Sequence, residues 1–155
     1  GTLRQNMQWA DPHASDERIW QELETAQAAA LVQAMPQGLD SPITQGGQNL
    51  SGGQRQRLTI ARALVGQPDI LILDDSASAL DFATDAALRA ALHRQMRKQT
   101  MFVISQRVHA IAQADQILVL DDGRLVGCGT HDTLLAACPV YAQIVQSQQQ
   151  KEEHA

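Results

Sequence analysis

Apolar positions along the chain fall first into helical spacing and then into short continuous runs, and the change of period predicts the order of elements. From Asp16 onward Ile19, Trp20, Leu23, Ala26 and Ala30 recur at three- and four-residue intervals, which marks one buried helical face. Asp16 and Glu17 suit the positive end of that helix, and Pro36 with Gly38 predicts its stop. Residues 45–53 then hold four glycines. Beyond them Leu58, Ala61, Leu64 and Val65 predict a second amphipathic helix, closed by Gly66 and Pro68.

From Pro68 the pattern changes. Residues 70–73 are uniformly apolar and end in Asp74 and Asp75, which predicts a buried parallel strand. A helix over residues 83–98 follows, with Leu88, Ala91, Leu92 and Met96 inward and Arg94, Arg97 and Lys98 near its negative end. Strands are expected at 101–104 and 117–120, with a short helix at 108–114 between them. Asp122-Gly123 predicts a two-residue hairpin turn into Arg124, Leu125 and Val126. Thr130 should cap a last helix carrying Leu134, Leu135, Tyr141, Ile144 and Val145, with a tail from about residue 146 expected to fray. Strands alternating with helices give an α/β core over 67–155, preceded by a helical subdomain at 1–66.

Composition narrows the classes of function. The 155 residues suit one small domain, and 12 Lys+Arg against 17 Asp+Glu leave a net charge of −5. That balance argues against an electrostatic wrap around nucleic acid, so no nucleic-acid partner is expected. No apolar run approaches the ~18–20 residues that a spanning helix needs. Cys128 and Cys138 are too few for a disulfide scaffold, and reduced thiols in a cytosolic setting are expected. The chain opens Gly1-Thr2-Leu3-Arg4 without a methionine, as a piece of something longer would. Trp9 and Trp20 are read as packing within the helical part.

Two strings carry candidate chemistry. In Leu50-Ser51-Gly52-Gly53-Gln54, Ser51 can cap a helix while Gly52 and Gly53 leave backbone N–H groups uncovered at its positive end. That is either an anion site suited to phosphate or a glycine-rich helix entry with no ligand; the five residues alone leave both open. Asp74 and Asp75 stand at a strand's carboxyl end, where α/β proteins place ligand and Mg²⁺ chemistry, or else form a solvated turn. Ser78-Ala79-Leu80-Asp81 follows at once.

In this order and spacing the strings resemble the nucleotide-binding domain of ATP-binding cassette (ABC) transporters, of the P-loop NTPase class. Residues 50–54 look like that family's signature motif, continuing as Arg55-Gln56-Arg57-Leu58 and Ile60-Ala61-Arg62-Ala63. The strand ending in Asp74 looks like Walker B, residues 78–81 like the D-loop, and Gly123 to Val126 with Gly129-Thr130-His131 like the closing segment. The loop at residues 44–49 is similar to the exporter branch, where it contacts the membrane domains. The resemblance implies ATP and Mg²⁺ as ligands, with Asp74 on the metal, and Ser51, Gly52, Gly53 and Gln54 offered to ATP held by a second domain. Asp81 would belong to the D-loop contacts. It implies a second nucleotide-binding domain and transmembrane domains as partners, at the cytoplasmic face of a membrane.

Departures from the family pattern are as informative. No G-x-x-x-x-G-K-[ST] string occurs, so the phosphate-cradling loop and its lysine are absent from these residues, and the Q-loop would lie upstream. Where the family has a general-base Glu this chain has Asp75, one methylene shorter, and reach is the first requirement of a base. Where the family has a switch His it has Gln106, which can hydrogen-bond a phosphate but carries no proton or charge. Losing a well-placed base typically costs about 10²–10⁴-fold in rate. The expectation is therefore the degenerate half of a heterodimeric exporter, which serves its partner's ATP better than its own. The alternatives are an inactive nucleotide-binding scaffold or an ABC protein outside transport.

Overall fold

The computed structural model describes residues 1–76, 78–96 and 99–152, the last two as backbone alone. Helices α1 (Leu3–Met7), α2 (Asp16–Thr25), α3 (Ala29–Gln33) and α4 (Gly52–Val65) precede β1 (Ile70–Asp74), α5 (Phe82–Gln95) and β2 (Thr100–Ile104). Then come α6 (Val108–Ile111), β3 (Ile117–Asp121), β4 (Arg124–Gly129), α7 (His131–Ala137) and α8 (Pro139–Glu152). The residues gather into two compact units, Gly1–Phe102 and Val103–Ala155. Both the helical segment and the first strand of the α/β core lie in the first unit.

In that unit α2 packs on α4, and α1 also lies against α4. Ile19, Leu23, Ala61, Leu64 and Val65 are buried, and full burial of one such large side chain is worth about 1.5–3 kcal/mol. Ser15 starts α2 by accepting the Arg18 amide, as its place before Asp16 and Glu17 requires. The single helix expected through Ala26 and Ala30 is instead two. Gln27 turns left-handed (φ 57°) and ends the first, while the Arg57 guanidinium donates to its carbonyl at 2.6 Å and holds the turn. Ala30 is consequently exposed. Trp9 is 86% exposed, correcting the expectation that it packs, because it lies beyond the end of α1 rather than on its buried face.

Glu22 is fully buried on α2. It is tolerated there because Arg18 sits at 3.0 Å one turn earlier and the Gln95 amide of α5 donates at 2.8 and 2.7 Å. Helix α5 turns Leu88, Ala91 and Leu92 inward, and Met96 at its C-cap is buried too, as the spacing predicts. The expected extension through Arg97 and Lys98 lies outside the described residues. The Thr100 amide donates to the Asp69 carbonyl at 3.0 Å, so β2 starts beside the start of β1. With α5 as the crossover, this is the parallel arrangement. Strand β1 is not buried on both sides, contrary to the continuous apolar run. Leu71 and Leu73 are buried, Ile70 and Ile72 exposed, because only one face is covered among the described residues.

In the second unit β3 and β4 form the antiparallel hairpin expected at Asp122-Gly123, where both residues have positive φ (47° and 75°) as its turn demands. Ile117 and Val119 pack with Leu134, Cys138, Tyr141 and Val145 into a small core. Thr130 caps α7 by accepting the Thr133 amide. The last helix breaks at Cys138, because Pro139 has no amide to donate and begins α8 instead. Helix α8 then runs to Glu152 through the segment expected to fray, and residues 153–155 lie outside the described ones. Within α8 the Gln148 side chain bonds to the Gln106 carbonyl and to the Val108 amide at the start of α6.

Candidate active site

The first turn of α4 is built as the sequence requires. Ser51 has an extended backbone (φ −65°, ψ 163°), and its Oγ accepts the Gln54 amide at 3.2 Å while Gln54 Oε1 accepts the Ser51 amide at 2.9 Å. This reciprocal box satisfies two donors. Among the described residues the amides of Gly52 and Gly53 have no protein acceptor, and they stand where the helix dipole is most positive. Because the Ser51 oxygen is already accepting, its proton is left to donate to an anion. Gln54, expected as a ligand contact, has its side-chain carbonyl on Ser51.

The loop entering this helix closes on itself. Asn49 accepts from the Thr44 amide and hydroxyl at 3.2 and 3.0 Å and donates to the Pro42 carbonyl at 3.1 Å. The three arginines of α4 act as ties to the surrounding backbone and helices. Arg55 reaches the Gly46 carbonyl at 3.2 Å, Arg57 the Gln27 carbonyl, and Arg62 the Asn6 side chain at 3.0 Å.

The carboxylates lie across a short turn from this helix. Asp74 ends β1 and is exposed, and Asp75, also exposed, is left-handed at φ 45°. Asp tolerates that region better than longer side chains do. Among the described residues no cluster of three or more His, Cys, Asp or Glu gathers as a metal cage. A lone carboxylate facing open space nevertheless fits Mg²⁺, which keeps several waters and takes other oxygens from phosphates. Asp81 caps α5, accepting from the Thr84 amide at 2.9 Å and hydroxyl at 2.7 Å. Those two bonds, the amide first, hold its carboxyl below the usual carboxylate range.

Gly53 is required for a reason its amide does not show. A Cβ there would lie 2.8 Å from the Ala79 carbonyl oxygen, whereas one on Gly52 would meet the Ala79 methyl at an ordinary 3.5 Å. The two strings that carried the sequence reading therefore touch, Gly53 against Ala79, within one unit. Gln106 lies in the other unit, exposed, in a segment fastened by Gln148. The Gln148 side chain accepts the Val108 amide at 2.9 Å and donates to the Gln106 carbonyl. No role for the side chain of Gln148, or for that of Gln56, described below, is legible in the sequence, since a bonding glutamine and a solvated one have the same spacing.

Residues 1–78, half of the chain, match the family model described as ABC transporter. The chain belongs to the ABC transporter family. It is 45% identical over 151 residues to an uncharacterized ABC transporter ATP-binding protein of Mycobacterium tuberculosis, covering 96% of this chain and 26% of that protein. It is 43% identical over 144 residues to the ATP-dependent lipid A-core flippase of Vibrio cholerae, covering 92% and 25%. The structure of a bacterial Atm1-family ABC exporter with ATP bound superposes with a TM-score of 0.90 at 35% identity, over 95% of this chain and 26% of that one. The α/β fold is thus that of the C-terminal part of an ABC ATPase. The chain spans about a quarter of the length of the curated relatives it matches.

Proposed function

We propose that this chain is part of the ATPase domain of an ABC exporter and completes the ATP site of a second nucleotide-binding domain more effectively than its own. The observation that carries the reading is the first turn of α4, where the amides of Gly52 and Gly53 and the Ser51 hydroxyl converge as donors at a positive helix end. Facing a γ-phosphate held by the partner, these donors would stabilise the charge that spreads over its oxygens during transfer. In the chain's own site Asp74 would hold Mg²⁺, which supplies charge neutralisation on the phosphates when bound. Asp75, short for a general base, and Gln106, without a proton to give or take, support slow hydrolysis there. Family membership, the Atm1-family exporter likeness and the loop at residues 44–49 support transmembrane domains as the coupled partner, with the ATPase at the cytoplasmic face.

The test compares two variants in the full-length protein assembled with its partner. Ser51→Ala is expected to remove most ATP turnover, by about 10²-fold, since one preorganised donor to the reacting phosphate is lost. Asp75→Asn should lower it by less than about twofold, because hydrolysis runs mainly at the other site. The opposite ranking in steady-state ATPase assays would overturn the assignment.

A further inference from the structure

We infer that Gln56 is a positioning residue, which fastens the carboxylate-bearing turn after β1 to the signature helix so that both functional ends of this chain are set by one side chain. This rests on the reading just proposed. Gln56 lies one helical turn after Gly52 and its side chain points back over the first turn of α4. There its Nε2 donates to the Asp75 carbonyl at 3.1 Å and its Oε1 accepts the Ala79 amide at 3.2 Å. The two bonds span the turn from end to end. The Ser78 amide and hydroxyl also donate to the Asp75 carbonyl, at 3.2 and 3.0 Å, and close the turn from inside.

The chemistry of the clasp is selective. It needs one donor and one acceptor on the same planar group, which among long side chains only glutamine offers. Glutamate cannot donate when ionised, lysine and arginine cannot accept, and asparagine is a methylene short. Asp75 also needs an external hold, because its left-handed backbone persists only where the surroundings enforce it. On the far side of the turn the Ala79 carbonyl presses into the space left by the missing Cβ of Gly53. Gln56 and Gly53 therefore fix Ala79 from two directions. Loss of the clasp would release the first turn of α4 as well as the carboxylate turn, so the amides of Gly52 and Gly53 that face the partner's ATP would shift, and a displacement of about 1 Å can cost about 10²-fold in rate.

The experiment uses the full-length protein with its partner, ATP as the probe, and two substitutions. Gln56→Met keeps the length and loses both bonds, whereas Gln56→Glu keeps the acceptor for Ala79 and loses the donor. Gln56→Met is expected to lower kcat for ATP about 10- to 100-fold with KM changed less than about twofold, and Gln56→Glu to fall between it and the parent. Hydrogen exchange at the Ala79 amide should accelerate in Gln56→Met and much less in Gln56→Glu. Unchanged Ala79 exchange, or full turnover despite faster exchange, would overturn the proposal. Ser51→Ala in the same assembly reports on the signature reading separately. If it leaves turnover intact that reading falls, while lost turnover in Gln56→Met still supports the clasp and intact turnover still overturns it.

Discussion

Gly53→Asp in the full-length protein, assembled with its partner, is expected to cut ATP turnover by about 10²–10³-fold, the usual cost of losing a preorganised donor at a reacting oxyanion. Two effects add. The new carboxylate would stand beside the amides proposed to receive a phosphate and repel it. Its Cβ would also start 2.8 Å from the Ala79 carbonyl oxygen, so the turn carrying Asp75 must move. Gly53→Ala isolates the second effect, and overpacking of this kind costs about 1–3 kcal/mol. Gly52→Ala is the matched control, because a Cβ there meets Ala79 at 3.5 Å, an ordinary contact. Thermal unfolding of the three variants beside their ATPase rates separates charge from crowding. If Gly53→Asp and Gly52→Ala lose equal activity, the close approach to Ala79 is irrelevant to function.

Asp75→Glu combined with Gln106→His should act in the opposite direction and raise hydrolysis at this chain's own site by about 10²–10⁴-fold, the range a positioned base and its partner supply. The reading that this site is slow because of those two positions stands or falls on that gain. It is measured as single-turnover release of phosphate with the partner's own catalytic base inactivated. A small penalty accompanies it. Position 75 is left-handed, a region that strains Glu more than Asp, so the melting temperature should drop by the equivalent of about 1 kcal/mol. No gain in phosphate release would favour a site that holds nucleotide without turning it over.

Much of the molecule was legible because its signals are local. The capping box at Ser51 and Gln54, the hairpin at Asp122-Gly123 and the inward face of α5 each follow from residues within a turn or two of one another. The misreadings share a different cause. Trp9 is expected to pack within the helical part, yet it falls just past the end of α1 and is exposed. The break at Gln27 depends on Arg57, 30 residues further on. Strand β1 has the composition of a strand buried on both faces, yet one face of it is exposed. In the candidate site the strings at 50–54 and 74–81 were visible as separate motifs. Their contact through Gly53, Gln56 and Ala79 was not, since periodicity gives the face of a helix but not what lies opposite.

The two thiols of the second unit differ in a way that makes that unit its own timekeeper. Cys128 is exposed on β4, while Cys138 is 4% exposed in the core between α7 and α8. An alkylating reagent meets the first at once and the second only when the core opens. The lag between the two modifications therefore measures the opening free energy of residues 103–155 in the folded protein, with no denaturant and no engineered probe.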